Sequence, residues 1–191
     1  GGQEDIQSKL IRTVGNPSER FKEDALRIIR GLRFQSQLTF DIHFETFKAM
    51  QLTCSDVKYL SIERIIVEFK KLILGNNVKQ SYHNLISLKI FDYIPFFNEL
   101  DMTRVQIDEP LEFEQWLAIL LIKNDKLPSL KQLKISNKEK SDIHTYIDII
   151  ETLPLIDSKD ALKLFIYDYS EHYILKVLNI YSVLQINQIP T

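Results

Sequence analysis

The chain has 191 residues, a net charge of -2 and 45% hydrophobic residues, enough apolar content to fill one large or several small helical cores. No apolar run approaches the roughly 20 residues that a membrane-spanning helix needs. The first ten residues also lack the basic and apolar regions of a signal peptide, so we expect a cytoplasmic protein. Cys54, the single cysteine, cannot form an internal disulfide and is interpreted as a small buried residue.

Apolar residues recur at intervals of three and four along most of the chain. Only 5 glycines and 6 prolines interrupt this pattern, which therefore predicts an all-α fold. In chain order, GGQED predicts a turn, and a helix is expected from residue 22 to about 38. A second helix is expected over 61–74, with Ser61 as its N-cap and Gly75 at its end.

The second half of the chain continues the helical pattern. Helices are expected near 77–91 and 111–123, joined by a loop rich in aromatic residues. These aromatic rings are expected to pack helices together rather than to stack on nucleic-acid bases: Phe91, Tyr93, Phe96 and Phe97. A subdomain boundary is expected within 127–140. Three serines mark later helix starts, the first with Glu139 at capping-box spacing: Ser136, Ser158 and Ser170.

Arginine is concentrated in the first third of the chain. Six of the seven arginines lie there, whereas the rest of the chain uses lysine almost exclusively: Arg12, Arg20, Arg27, Arg30, Arg33 and Arg64. A guanidinium group forms paired hydrogen bonds with phosphates and base edges, while the lysine ammonium group is a flexible point charge. Although the net charge is negative, we therefore expect a nucleotide or polyanionic ligand to bind this third.

Four charged residues recur every third position in the helix expected from residue 22: Asp24, Arg27, Arg30 and Arg33. At about 100° per residue they form a line along the helix, away from an apolar face. That face is expected to be buried and contains Phe21, Ala25, Ile28, Ile29 and Leu32. Glu23 is placed to pair with Arg27 four residues later. Arg30 and Arg33, in contrast, have no acidic residue within one helical turn.

Two interpretations of these arginines stay open from spacing alone. In the first, the carboxylate accepts a hydrogen bond from the exocyclic amino group of a base, and the guanidinium groups bind base acceptors and a triphosphate. In the second, the arginines pair with carboxylates elsewhere in the fold or form a solvated helix face.

The segments around these residues resemble a known family. GGQEDI, followed by IRTVGNPSERFKEDALRIIRGLRFQSQLTFDI, is similar to the bacterial class II tRNA nucleotidyltransferases, the CCA-adding enzymes, and to the related bacterial poly(A) polymerases. The resemblance is strong over residues 1–46, extends to SIERIIVEFKKLILG at 61–75 and is weak beyond residue 76. It implies an elongated arrangement of helical domains: 1–15 a remnant of the catalytic head, 16–75 the neck, 76–133 the body and 134–191 the tail.

The resemblance also implies roles for individual residues. In this family the EDxxR motif selects the incoming CTP or ATP by pairing with its base edge, which implies that Asp24 and Arg27 read the base. Arg30 and Arg33 match the family pattern as well and are expected to line the nucleotide site. Arg64 and Glu68 match its ERxxxE element, which implies support of the neck helix; a surface ion pair between these two residues is the alternative.

The resemblance further implies tRNA as a partner, held by the body and tail through its acceptor and T arms. Lys131, Lys134 and Lys138 are candidate phosphate contacts, although a solvated helix start is an equal alternative. The carboxylates that hold Mg²⁺ in the family lie in the head, N-terminal to GGxxD. No catalytic or metal-binding residue is therefore assigned, and this chain alone is expected to be inactive.

The expected function is that of the neck, body and tail of an enzyme that adds CMP and AMP to tRNA 3′ ends. Poly(A) polymerase and enzymes that add only CC or only A stay open within the same class. A stand-alone helical RNA-binding or interaction module is the alternative from another class. The four histidines have no metal-binding spacing, and the chain contains neither a GxSxG nor a P-loop motif.

Overall fold

A computed structural model of the chain describes residues 2–126 and 128–183, without the side chains of residues 179, 182 and 183. The fold is 73% helical, which confirms the all-α prediction. The helices, in chain order, are α1 Gly2–Gln7, α2 Pro17–Glu23, α3 Leu26–Leu38, α4 Phe44–Thr53, α5 Ile62–Ile73, α6 Val78–Ser87, α7 Phe113–Lys123, α8 Asn137–Thr152 and α9 Lys159–Val183. Two short strands, β1 Leu10–Ile11 and β2 Asp41–Ile42, pair in parallel. The last eight residues of the predicted tail, 184–191, lie outside the described residues.

The beginning of the chain differs from the sequence prediction in two places. The predicted turn GGQED is wrong because its residues 2–5 lie within α1. The single helix predicted from residue 22 to 38 is also wrong, since α2 ends at Glu23 and α3 begins at Leu26. Asp24 between them is extended, with φ -152° and ψ 101°, and its Oδ1 accepts a hydrogen bond from the Leu26 N–H at 3.1 Å. Aspartate favours such breaks because its side chain competes with the backbone for N–H donors.

Helix α3 lies at the centre of the first half of the fold and packs on both α5 and α6. The predicted apolar face is confirmed: Phe21, Ala25, Ile28, Ile29 and Leu32 are all buried. Helix α5 agrees with the predicted 61–74 segment, with Ser61 in the N-cap position. The turn after α5 lies directly on α3, where the Asn77 N–H donates to the Ser36 carbonyl at 2.8 Å.

Aromatic residues of α5, α6 and α7 and of the segment between α6 and α7 form the core around the single tryptophan. Trp116 is fully buried, and the centroids of five surrounding rings lie 5.5 to 6.5 Å from its own. These rings belong to Phe69, Tyr82, Phe91, Phe97 and Phe113. Phe96 is also buried and Tyr93 is partly buried, so the prediction that this aromatic group packs helices is confirmed. Cys54 is buried as well, as predicted.

The second half consists of α7, α8 and α9. The predicted capping box is confirmed at α8: Ser136 Oγ accepts from the Glu139 N–H, and the Glu139 carboxylate accepts from the Ser136 N–H. Ser158 likewise accepts from the Ala161 N–H at the start of α9, and α9 is interrupted at Ser170, where φ is 61°. The predicted boundary at 127–140 includes Leu127, which lies outside the described residues, and the four domain limits stay predictions.

None of the helices described over residues 2–126 and 128–183 is long and apolar enough to cross a lipid bilayer.

We expect Gly75→Ala to destabilise the fold, because a Cβ at this position would clash with Ser36 Oγ and lie 2.6 Å from the Ser36 carbonyl carbon and 2.7 Å from its oxygen. Backbone atoms cannot rotate away, so the substitution should lower the free energy of unfolding by about 1–3 kcal/mol. Gly2→Ala is the control, since nothing lies within 4 Å of its Cβ. Urea unfolding measures both variants. Equal stability of the two would show that α3 and the turn can separate without cost.

Candidate functional site

The residues predicted to bind nucleotide lie on one surface, formed by the α2–α3 junction, the exposed side of α3 and the facing side of α5. Asp24 occupies the junction, and α3 carries the three arginines: Arg27, Arg30 and Arg33. Helix α5 contributes Arg64 and Glu68. We call these six residues the arginine surface. Each of them forms an ion pair, either with another of the six or with Glu23.

The Asp24 carboxylate is held by a backbone donor and by a side chain. Its Oδ2 and Oδ1 lie 3.0 and 3.3 Å from Nη2 of Arg64, and Oδ1 also accepts from the Leu26 N–H. One quarter of the side chain is exposed. An ionised carboxylate offers about four acceptor positions, so these contacts leave capacity for another donor. The carboxylate is therefore oriented by the protein yet still reachable from solvent.

Arg27 is oriented by the glutamate that precedes Asp24. Glu23 Oε2 lies 3.3 Å from Nη1 of Arg27, which confirms the predicted pair, and both Glu23 oxygens lie 3.0 Å from Nη1 of Arg20. The Arg27 side chain is 42% exposed. A guanidinium group has five N–H donors, so a single contact through Nη1 leaves most of them for a ligand.

Glu68 lies between Arg30 and Arg33 and is the most deeply buried member of the arginine surface, with a side chain only 7% exposed. Its Oε1 accepts from Arg30 Nε at 3.0 Å. Its Oε2 lies 2.8 Å from Arg33 Nε, an ion pair without the alignment of a hydrogen bond. The two arginines that have no acidic partner within one helical turn therefore share one carboxylate from another helix. The alternative of a surface pair between Arg64 and Glu68 is wrong, because each binds a residue of the α2–α3 region instead.

The two arginines that flank Glu68 differ in how accessible they are. The Arg33 side chain is 15% exposed, its guanidinium carbon lies 4.2 Å from the centroid of the Phe34 ring, and its Nη1 donates to Gln37 at 3.0 Å. The Arg30 side chain is 45% exposed. Arg30 is consequently the more accessible of the two to a ligand.

The sequence contained a signal for the partner of these arginines. Glu68 lies on the apolar face of α5, three residues after Ile65 and four before Leu72, both of which are buried. A glutamate on such a face is rarely buried unless it is paired. The pattern could therefore have indicated a cation on the facing helix, although it could not have identified which one.

The three lysines predicted to bind RNA are exposed, and they differ in their surroundings. Lys134 Nζ lies 2.9 Å from Glu63 Oε1 on α5, and this hydrogen bond lowers the pKa of Glu63 below its usual value. Lys138 lines a cavity of about 460 Å³ that also contains several carboxylates, Glu112, Glu114, Glu139 and Asp142 among them. No ion pair joins Lys131 to an acidic residue within the described parts of the chain. The predicted basic patch is thus partly balanced by acidic residues.

No metal site can be built from the residues that the structure describes. Over residues 2–126 and 128–183, no three histidine, cysteine, aspartate or glutamate side chains lie close enough together to hold a metal ion. The arginine surface combines one accessible carboxylate with accessible guanidinium groups, and these acceptors and donors are of the kinds that contact anions and base edges.

The chain is similar to one family model and to several sequence relatives. A family model described as "Probable RNA and SrmB- binding site of polymerase A" matches residues 39–100. The chain is 52% identical over 190 residues to the CCA-adding enzyme of Staphylococcus epidermidis, covering 100% of this chain and 48% of that protein. It is 53% identical over 184 residues to the CCA-adding enzyme of Staphylococcus haemolyticus, covering 96% and 46%. The chain thus spans about half the length of the curated relatives that it matches.

Solved structures share the fold. The CCA-adding enzyme of Bacillus stearothermophilus, crystallised with CTP, superposes with a TM-score of 0.75 at 23% identity, over 93% of this chain and 46% of that one. A tRNA nucleotidyltransferase bound to a primer tRNA and an incoming ATP analogue superposes with a TM-score of 0.67 at 19% identity, over 93% and 59%. At such identities the likeness shows the fold.

We expect Glu68→Ala to lower the free energy of unfolding by about 3 kcal/mol, because it leaves the largely buried Arg33 guanidinium without its carboxylate. The control is Glu63→Ala on the same helix, which removes an exposed ion pair and should cost much less stability. Urea unfolding followed by circular dichroism measures both. Similar losses for the two variants would contradict a structural role for the Glu68 pairs.

Proposed function

This chain belongs to the family of the CCA-adding enzymes, and we propose that it is the part of such an enzyme that selects CTP and ATP and binds tRNA. The intact enzyme would be a tRNA nucleotidyltransferase that adds CMP and AMP to tRNA 3′ ends without a nucleic-acid template. Identity of about 50% over the whole chain supports this activity. The observation that carries the proposal is the oriented and accessible pair of Asp24 and Arg27 beside Arg30.

Base selection follows from the donors and acceptors of this pair. Cytosine and adenine each carry an exocyclic amino group, which donates to a carboxylate such as that of Asp24. Uracil and guanine carry a carbonyl oxygen in the corresponding position, and two acceptors facing each other repel. Arg27 can donate only, so it would bind the acceptor atoms of the same base edge. The pair therefore favours CTP and ATP over UTP and GTP.

The phosphates would be held by the remaining arginines. Arg30 extends its half-exposed guanidinium group from the Glu68 pair, and Arg33 lies one turn further along α3. Both Nε atoms face Glu68, so the carboxylate fixes the direction of each guanidinium group before a ligand arrives. Such pre-orientation reduces the entropy that binding costs. We assign Arg30 the larger share of phosphate binding because Arg33 is mostly buried.

The RNA-binding surface in this proposal is formed by Lys131, Lys134 and Lys138. All three lie at or near the start of α8, where an RNA backbone would contact the ammonium groups without reading its sequence. Among the solved structures that share the fold, the Thermotoga maritima CCA-adding enzyme is complexed with tRNA. We propose the same partner for this chain, through the acceptor and T arms.

The proposed reaction requires Mg²⁺, but the described residues contain no group of ligands for this ion. The ion would activate the 3′ hydroxyl of the RNA and stabilise the leaving pyrophosphate. The described residues offer no set of ligands that fits such an ion. We therefore propose that the metal is bound by a part of the longer protein that this chain does not include, and we derive no catalytic step from this chain.

Two alternative functions are each supported by a specific observation. The family model that matches 39–100 is named for polymerase A, which keeps poly(A) addition as a second candidate. The ion pairs of Arg30 and Arg33 with Glu68 favour, from another class, a helical interaction module whose arginines serve the fold alone. Nucleotide binding separates this module from the proposed enzyme.

We expect the chain to bind CTP and ATP at least about fivefold more tightly than UTP and GTP. Asp24→Asn should abolish this preference, because the amide can still accept from the Leu26 N–H but no longer presents a carboxylate to the base. Asp24→Ala should do the same with an additional loss of stability. Isothermal titration calorimetry with each of the four nucleotides measures the preference of the unmodified chain and of both variants. Equal binding of all four nucleotides by the unmodified chain would favour the interaction module.

We expect Lys131→Ala, Lys134→Gly and Lys138→Ala each to weaken binding of a tRNA acceptor and T-arm minihelix. Each should also lower the slope of log K against log salt by about 1, since each removes one phosphate contact. Lys48→Ala on α4 is the control, because it removes one exposed positive charge from another helix. Fluorescence anisotropy over a salt series gives the slopes. If the slope is unchanged in all three variants, the RNA does not contact these lysines.

A further inference from the structure

The ion pair between Glu63 and Lys134 lies within the proposed RNA-binding surface. Glu63 Oε1 and Lys134 Nζ are 2.9 Å apart, with side chains that are 48% and 61% exposed. Exposed pairs of this kind contribute little to stability, because water screens the attraction and two long side chains must be held in place. The contact therefore exchanges readily with solvent or with another charged group.

The fold does not need this pair to hold the segment before α8 in place. Leu130, Leu133 and Ile135 are buried beside Lys134 and anchor the backbone. A second ion pair, between Lys70 and Glu139, also joins α5 to α8. Loss of the Glu63 contact would consequently leave the position of the segment unchanged.

The backbone at Lys134 has a conformation that glycine also adopts. Lys134 has φ 50° and ψ 35°, a left-handed conformation at the end of the 3-10 turn Leu130–Leu133. Glycine adopts this conformation at no steric cost, whereas a residue with a Cβ does so less favourably. Glycine at position 134 would therefore keep the backbone conformation and remove only the lysine side chain.

We propose that Glu63 is an internal competitor for RNA phosphate at Lys134. In the RNA-free protein the Glu63 carboxylate is bound to the Lys134 ammonium group. A phosphate of the RNA then displaces the carboxylate. Both are anions that accept charge-assisted hydrogen bonds from the same donor, and they repel each other at such short range. The inference rests on the proposed function, since it assumes that RNA contacts this surface.

The competition would weaken RNA binding and help the product to leave. An RNA that reaches only Lys134 must displace Glu63 for one phosphate contact, whereas an RNA that also reaches Lys131 and Lys138 gains contacts that offset this cost. Glu63 therefore lowers the affinity of every RNA that contacts Lys134 by a similar factor. It does so without reading any base.

The test compares Glu63→Gln with Glu45→Gln, measured by anisotropy with a labelled tRNA acceptor and T-arm minihelix. Both variants remove one exposed negative charge, but Glu45 lies on α4 and forms no ion pair within the described residues. We expect Glu63→Gln to bind the RNA about two- to fivefold more tightly, the range that an exposed ion pair allows. Glu45→Gln should differ from the unmodified chain by a smaller factor.

Lys134→Gly completes a double-mutant cycle and is expected to fold, because its φ suits glycine. In this background Glu63→Gln should no longer change RNA affinity beyond the effect of Glu45→Gln. If Lys134→Gly weakens binding but Glu63→Gln behaves like Glu45→Gln, the competitor role is overturned while the proposed RNA surface stands. If Lys134→Gly leaves RNA binding unchanged, both the lysine contact and the inference are overturned.

Discussion

The buried Glu68 carboxylate is the contact on which both the first half of the fold and the arginine surface depend. A carboxylate removed from water is stable only when cations and hydrogen bonds replace its hydration. Here Arg30 and Arg33 of α3 supply them, at 3.0 and 2.8 Å. Neighbouring residues of α5, such as Phe69 and Leu72, meanwhile pack in the core. The same interaction therefore sets the register between α3 and α5 and the direction of two guanidinium groups.

Helix α5 links the two candidate ligand surfaces through its helical periodicity. Arg64 and Glu68 are four residues apart, so they lie on one side of the helix and reach Asp24 and the α3 arginines. Glu63 and Lys70 are seven residues apart, two turns along another side, and they reach the start of α8 instead. One helix thereby contacts residues proposed to bind nucleotide and also Lys134, which is proposed to bind RNA.

Sequence reasoning succeeded where the signal was local and failed where the partner was distant. The apolar face of α3, the limits of α5 and the capping box of α8 each follow from residues within two helical turns. The helix break at Asp24 was missed because the apolar residues on both sides continue the helical pattern. The opposing signal was a single aspartate, whose side chain competes with the backbone for the Leu26 N–H. Pairing of the arginines with a distant carboxylate was one of two interpretations left open, and Glu68 was not identified as the partner because it lies 35 to 38 positions away on another helix. The roles of individual residues came from family resemblance rather than from spacing.

Ion pairing of the α3 arginines does not by itself exclude a ligand, because a guanidinium group has more than one edge. The hydrogen bond from Arg30 to Glu68 uses Nε, which leaves its two terminal nitrogens outside that contact. Those nitrogens belong to a side chain that is 45% exposed, and they carry four of its five N–H donors. In Arg33, by contrast, Nη1 is already bonded to Gln37 and the side chain is mostly buried. A structural role and a phosphate-binding role are therefore compatible in Arg30, whereas Arg33 serves chiefly the fold.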